Sequence, residues 1–261
     1  MAGINKKKQK IKNEEWIKML QKIGQVISRE ELDRIVFSTI KDIKKKTMDK
    51  KAAYAWSGGK DSVVLGKICH IAGITDCVLV ICNLEYRAFM EWIRIHKPQG
   101  LSVINTGQDM EWLSANPHML FPQDSRTAAR WFNIVQHRGQ ALYYKNEHLD
   151  MIILGRRLAD GNYVGNGSNI YTDRHGVTRY SPLSGWTNEQ VLAFIYYYGL
   201  ELPPIYKWKN GYLCGTHPWP ARQWTGNIKN AWSEVYSIDS SIVHYAARYF
   251  KSAETFLQKH F

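Results

Sequence analysis

The sequence predicts an α/β protein: a Rossmann-like, open and mainly parallel sheet with helices on both faces, an N-terminal helical pair and a C-terminal helical and irregular extension. Three observations predict it. From residue 52 onward short apolar runs alternate with helical stretches, the pattern of strands joined by right-handed crossovers. Cys77-Val78-Leu79-Val80-Ile81-Cys82 is a continuous apolar run, as a strand covered on both faces should be. Between the apolar Ala52–Trp56 and a helical pattern of Val63, Val64, Leu65 and Ile68 stands Ser57-Gly58-Gly59-Lys60-Asp61-Ser62, a glycine-rich link from strand to helix.

Residues 1–12, with Lys6, Lys7, Lys8, Lys10 and Lys12, are expected to be disordered. Trp16, Leu20, Ile23 and Ile27 fall at helical spacing over 13–27. Ser28-Arg29-Glu30-Glu31 has the form of a capping box and opens a second helix, with Leu32, Ile35, Val36, Ile40 and Ile43 on its apolar face. Lys44, Lys45 and Lys46 fall in its last turn, where the helix dipole favours cations. This pair either packs on the core or forms a homodimer interface.

Strands are expected at 52–56, 77–82, 101–105 and 151–154, with helices over 87–96 and roughly 125–147. Asn169-Ile170-Tyr171 and Thr178-Arg179-Tyr180 flank Asp173-Arg174-His175-Gly176 as a β-hairpin. Thr187 caps a helix reaching Tyr198, and Pro203-Pro204 breaks the chain. Gly211 to Trp224 reads as an irregular aromatic loop, and Tyr236 to Lys259 as a closing helix or helical pair with Val243, Ala247, Phe250 and Phe256 inward. The expected divisions are a basic helical extension (1–50), a nucleotide-binding α/β domain (51–206) and an aromatic loop with a helical region (207–261).

Four cysteines show no CxxC spacing, and three lie in apolar runs, so reduced buried thiols and a reducing, cytoplasmic setting are expected. No apolar region follows the basic N-terminus as in a signal peptide, and no stretch is apolar enough to cross a membrane. The net charge of +12 is uneven: residues 1–51 carry 15 Lys and Arg against 7 Asp and Glu. A basic region attracts polyanions, so nucleic acid is a candidate partner, with a solvated tail as the alternative.

The hexapeptide has the chemistry of a phosphate site. The first amides of a helix lack intrahelical partners and carry the positive end of the dipole. Gly58 and Gly59 let the backbone approach an anion, Ser57 and Ser62 add hydroxyls, and Lys60 adds a cation. Ligands of open parallel sheets bind at the carboxyl ends of strands, which gathers Ser57–Ser62, Asn83–Tyr86, Asn105–Gly107 and Gly155-Arg156-Arg157.

Ser57-Gly58-Gly59-Lys60-Asp61-Ser62 resembles the SGGKDS signature of the PP-loop ATP pyrophosphatases, the adenine nucleotide α-hydrolase superfamily. With Gly155-Arg156-Arg157 and Tyr180-Ser181-Pro182-Leu183-Ser184-Gly185-Trp186-Thr187, the chain is similar to the 3′-phosphoadenylyl sulfate (PAPS) reductase branch over residues 52–206, and most of all to its phage-type members. The resemblance implies ATP or PAPS as ligand, with phosphates on Ser57–Ser62 and adenine beside the second strand near Asn83 and Glu85. It implies that Lys60, Asp61 and Arg156 act in catalysis. Asp61 either binds Mg²⁺ through water or hydrogen-bonds the loop. Gly155, Arg156 and Arg157 would hold an anion, the arginines as a clamp or else as surface ion pairs. Arg126 and Arg130 share a helix face and line the cleft or face solvent.

PAPS reductases resemble one another in a C-terminal nucleophilic cysteine, and no cysteine follows Cys214 here. A thiol mechanism would have to use Cys214, for which a structural role is the stronger expectation. His137 and His217 have no partner at metal spacing. Trp208, Trp219, Trp224 and Trp232, with Arg222 and Lys229, either stack bases or pack the last helix, packing being preferred. The leading expectation is an enzyme cleaving or transferring at the α-phosphate, such as an ATP pyrophosphatase that adenylates an acceptor. The alternatives are a sulfonucleotide reductase or sulfotransferase, and a nucleotide-gated DNA-binding regulator without catalysis.

Overall fold

The computed structural model describes residues 11–223 and 225–260. The expectations for Lys6, Lys7, Lys8, Lys10 and Trp224 lie outside them.

Two helices come first, α1 (Asn13–Val26) and α2 (Arg29–Thr47). Ser28 caps α2, its hydroxyl accepting from the amide of Glu31 at 3.1 Å. The buried residues of α2 are Leu32, Val36, Thr39 and Ile43. Thr39 was not expected inside. Its hydroxyl donates to the carbonyl of Ile35 at 2.9 Å and accepts from the indole N–H of Trp186 at 3.1 Å, so both polar groups are satisfied.

The α/β alternation then runs β1 (Ala52–Ala55), α3 (Lys60–Ala72), β2 (Cys77–Ile81), α4 (Arg87–His96), β3 (Leu101–Asn105), α5 (Met110–Ala115), α6 (Ser125–Phe132), a π-helical segment (Asn133–His137), α7 (Arg138–Asn146) and β4 (Met151–Ile153). The hairpin β5 (Ile170–Thr172) and β6 (Thr178–Tyr180) follows, then α8 (Asn188–Tyr197), α9 (Gly211–Cys214), α10 (Ile228–Ile238), α11 (Ser240–Ala246) and α12 (Lys251–His260). Thr187 and Gln190 form a full capping box at α8.

The six strands form one sheet in the order β3-β2-β1-β4-β6-β5. β1 is parallel to β2 and to β4, and β4 to β6; β5 is antiparallel to β6. The hairpin thus extends the parallel sheet through β6, with Ile152 opposite Arg179 and Ile153 opposite Tyr180. β2 and β4 are buried almost throughout, as their unbroken apolar runs require.

The chain forms two compact units. The first holds residues up to Leu79, His96–Ser102 and Ala141–Pro203. In it α1 packs on α8, and α2 packs on α3 and α8. The second holds Val80–Ile95, Val103–Gln140 and Pro204–Phe261. Two expectations for its last segment are corrected. Residues 211–224 include a helical turn, α9, and a 3-10 turn at Trp219–Ala221. The closing region is three helices beginning at Ile228, because Asn227 caps α10 and Asp239 caps α11. Val243, Phe250 and Phe256 are buried as expected, but Ala246 takes the inward place assigned to Ala247.

All four cysteines are free and buried. Among the described residues no helix is long and apolar enough to cross a membrane.

Candidate functional site

The first unit places the hexapeptide directly after β1. Gly58 has φ +68°, a left-handed conformation that favours glycine. Gly59 is extended and caps α3 without any side-chain cap, so the helix begins at Lys60 with its first-turn amides uncapped by a side chain. The two serines tie the loop to itself. Ser62 Oγ accepts from the amide of Ser57 at 3.0 Å and donates to the carbonyl of Gly59 at 2.9 Å. Ser57 Oγ donates to Ser62 Oγ at 3.2 Å and accepts from the amide of Gly59 at 3.4 Å. Both hydroxyls were expected to donate to phosphate; their protons are used inside the loop. The donors left for an anion are backbone amides at a helix N-terminus.

Behind the loop runs a chain of alternating charges. Lys60 is buried, with Nζ 2.6 Å from Asp61 Oδ2 and 5.5 Å from the ring centre of Trp16 on α1. Asp61 Oδ1 lies 2.7 Å from Nε of Arg157. Arg157 is fully buried; its contact with Asp61 is an ion pair without hydrogen-bond alignment, and its terminal nitrogens reach Asp160 at 3.0 Å, the side-chain oxygen of Asn188 at 3.0 Å and the carbonyl of Trp186 at 3.2 Å. Lys60, Asp61, Arg157 and Asp160 sum to zero charge. A buried guanidinium needs this matching, since desolvation of either sign alone costs several kcal/mol or more.

Gly155 supplies close packing. A Cβ there would stand 3.2 Å from the carbonyl carbon and oxygen of Asp61, which are backbone atoms that cannot swing away. The segment after β4 therefore lies directly against the first turn of α3.

The two adjacent arginines do not form a joint clamp. Arg157 is extended, with φ −131° and ψ 147°, and successive side chains of an extended segment point to opposite sides. Arg157 turns inward onto Asp61 and Asp160. Arg156 turns to the hairpin, donating to the hydroxyl of Tyr171 at 2.6 Å and to the carbonyl of Tyr163 at 3.4 Å. Burial lowers its pKa, with Arg179 adding to the effect. Arg179 itself is paired with Asp173 at 3.0 Å.

As a Mg²⁺ ligand, Asp61 does not fit this arrangement. Each of its oxygens already faces a cation, Lys60 or Arg157, and a divalent ion there would stand beside both. Among the described residues no group of three His, Cys, Asp or Glu could hold a metal.

Asn83 and Glu85 belong to the second unit. After β2, the side chain of Asn83 accepts from Asn105 Nδ2 at 2.6 Å, and Asn105 Oδ1 accepts from the amide of Gly107 at 2.8 Å. Glu85 is buried; one oxygen accepts from the amide of Cys82 at 3.2 Å, and the other is buried without a hydrogen-bond partner. Burial raises its pKa to about 8, and raises the neighbouring Cys82 thiol still further. Arg126 and Arg130 are both exposed on α6, Arg130 lying 3.3 Å from His118. Cys214 is buried, and burial raises its pKa, the opposite of what a nucleophile needs. Trp219 and Trp232 pack with Phe121, and Arg222 is buried against Glu234 at 3.1 Å, so these three members of the aromatic cluster serve packing, while Lys229 is exposed.

The sequence reading missed Trp16, Asp160 and Asn188 as neighbours of the loop's charges. Asp160 could have been suspected, three residues after Arg157. Trp16 carried no signal beyond its place in an amphipathic helix.

The phosphoadenosine phosphosulfate reductase domain family matches residues 51–213. A phosphoadenosine phosphosulfate reductase of Emericella nidulans is 23% identical over 120 residues, covering 46% of this chain and 37% of that protein. The chain thus spans little more than a third of that relative's length. The phosphate complex of a PAPS reductase from Candida auris superposes with a TM-score of 0.50 at 14% identity, over 69% of this chain and 92% of that one. An NMN synthetase from Francisella tularensis gives a TM-score of 0.45 at 14% identity, over 65% and 71% of the two chains. The fold is that of the Candida auris enzyme, and the matched segment takes in the loop, both arginines and the Trp186-Thr187 cap: the chain belongs to the phosphoadenosine phosphosulfate reductase domain family.

Proposed function

We propose that the protein binds an adenine nucleotide through Ser57–Ser62 and cleaves or transfers at its α-phosphate, ATP being the substrate and an acceptor group being adenylated. The observation that carries this reading is the loop itself. A left-handed Gly58 and the first turn of α3, which starts after Gly59 with no side-chain cap, offer amides to an anion, with the Lys60 ammonium beside them. A nucleophile of the acceptor attacks the α-phosphorus and loses its proton. The bond from that phosphorus to the bridging oxygen breaks, and pyrophosphate leaves with the electron pair. Amides and Lys60 stabilise the charge that develops on the leaving group. Asp61 holds Lys60, and Arg157 holds Asp61. Gly155 and Arg156 complete the proposed ligand contacts of this unit, and a nucleic acid or nucleotide is the proposed acceptor.

Family membership favours a second ligand, PAPS, and with it sulfonucleotide reduction or sulfate transfer. Against a reductive route stand the thiols, each of the four being buried. Titration calorimetry with ATP, adenylyl sulfate, PAPS and 3′,5′-ADP, followed by assay of pyrophosphate release, separates the two. Tightest binding of ATP with release of pyrophosphate supports the first reading. A preference for the 3′-phosphate supports the second. Lys60→Gln is expected to lower pyrophosphate release by roughly 100-fold or more. No ATP binding, or release unaffected by that change, overturns the proposal.

A further inference from the structure

We infer that the outward face of α2, running into the cleft at its C-terminal end, is a docking surface for single-stranded nucleic acid. Taking about 100° per residue, Arg34, Phe37, Lys41, Lys44, Lys45 and Met48 fall within roughly 100° of the helix circumference, opposite Leu32, Val36, Thr39 and Ile43, which are buried. All six outward residues are exposed. Phe37 is 71% exposed and Met48 63%, large apolar side chains set among cations.

Charge alone has an ordinary explanation at this place, since lysines in a last helical turn offset unsatisfied carbonyls. That explanation covers Lys44, Lys45 and Lys46. It does not cover Arg34 or Lys41, which stand one to three turns earlier, nor an aromatic ring left in water. Lys46 is in any case committed elsewhere, to Asp42 at 3.1 Å, Asn169 at 2.7 Å and the ring of Tyr180 at 5.0 Å. From Arg34 to Lys51 the chain carries seven Lys and Arg against two Asp. One of those aspartates, Asp42, is taken up by Lys46 and by the hydroxyl of Tyr180 at 2.6 Å. Glu30 shares this face one turn before Arg34, Lys51 pairs with Glu147 at 3.7 Å and Asp76 lines the cleft, so the stripe is cationic by excess, carried by Arg34, Lys41, Lys44, Lys45 and Lys50.

The stripe continues into a cleft of about 420 Å³, where Lys44, Met48, Lys50 and Lys51 meet the end of α3 at Gly73. This cleft opens before β1, whereas Ser57 follows the other end of that strand. It is separate from the proposed nucleotide site, from which α3 spans about 20 Å at 1.5 Å per residue.

A polyanion answers the charge, and an unpaired base answers the exposed ring. Bases stack on aromatic side chains only when they are not stacked in a duplex, so Phe37 selects single strands. The surface extends the proposed nucleic-acid acceptor. It is tested by binding alone, without nucleotide, so its failure would leave the α-phosphate reading standing.

The test is fluorescence anisotropy of the full chain with a labelled oligothymidylate of about 20 nucleotides, and with a duplex of equal length, between about 50 mM and about 200 mM salt. Expected are tighter binding of the single strand and a log–log salt slope of about −3, from four to five displaced counterions at about 0.7 each. Phe37→Ala should weaken single-strand binding roughly 5- to 100-fold, and Phe37→Tyr should restore it. The triple change Lys41→Gln, Lys44→Gln, Lys45→Gln should flatten the slope by about two units. These side chains are exposed, and unchanged melting temperatures would confirm intact folding. The inference is overturned by absent binding at the lower salt, by equal affinity for duplex, or by indifference to Phe37→Ala. It is also overturned if replacing Lys6, Lys7, Lys8 and Lys10 by Gln abolishes binding while the triple change on α2 does not.

Discussion

Arg157 and Asp61 meet at 2.7 Å although 96 positions separate them, and this contact ties the segment after β4 to the first turn of α3. Arg157 is fully buried, and its guanidinium spans two carboxylates, a side-chain amide and a carbonyl. Removing it leaves Asp61 and Asp160 facing each other's charge across an emptied space. Arg157→Ala is expected to cost about 3–5 kcal/mol of unfolding free energy. Arg157→Lys should recover less than half, because an ammonium lacks the planar fork. Urea denaturation checks both. Combining Arg157→Ala with Asp61→Asn should cost clearly less than the two single changes added together, and strict additivity would show that the pair is not coupled.

Gly155 sets how closely that segment approaches the loop. Gly155→Ala puts a methyl group 3.2 Å from the backbone of Asp61, so one of the two must shift by a few tenths of an ångström. A loss of about 1–3 kcal/mol in stability is expected, with a further loss in nucleotide affinity because the first-turn amides move. Calorimetric titration of the variant, compared with parent protein at equal folded fraction, reads the second effect. Unaltered affinity would mean that those amides do not hold the phosphates.

Thr39 offers the indole of Trp186 its hydrogen-bond partner inside the protein. Thr39→Val keeps the shape and orphans that N–H, at an expected cost of about 1–3 kcal/mol, whereas Thr39→Ser keeps the acceptor and should cost less. Thermal unfolding of the two variants decides it; equal losses would assign the effect to packing.

Glu85 makes stability depend on pH. Burial holds its carboxyl protonated up to about pH 8, while the ordinary value is 4.5. Between those values the folded state binds the extra proton, so stability falls as pH rises through the window, by at most about 1.4 kcal/mol per unit. Glu85→Gln preserves the oxygen that accepts from Cys82 and cannot ionise. It should match the parent at pH 4.5 and exceed it in stability at pH 8. Parallel pH profiles would show that the carboxylate is already ionised in the folded protein.

The elements that were legible in the sequence are those with a local cause. β2 is an unbroken apolar run, the hairpin has its turn residues at Asp173 to Gly176, and α8 carries its capping box in Thr187 and Gln190. The hexapeptide was legible because glycines and a lysine between strand and helix have few other uses. What depended on distant partners was not legible. The hairpin could be read, but not that β6 would lie beside β4. Arg156 and Arg157 could be read as anion ligands, but their destinations are set by Tyr171 and Asp61, which the spacing of neighbouring residues does not reveal. The Asn227 and Asp239 caps were available as signals for α10 and α11, whereas the apolar spacing was read as a closing helix or helical pair beginning only at Tyr236.

The bond from Trp186 to Thr39 bears on what can be cut away. Residue 51 marks where the family resemblance begins, yet Trp186, inside the matched segment, finds its partner on α2. A polypeptide starting at residue 51 would strip α3 and α8 of the helices that cover them and leave Lys60 without the ring of Trp16. The homologous region is therefore packed against, and hydrogen-bonded to, helices that lie outside it.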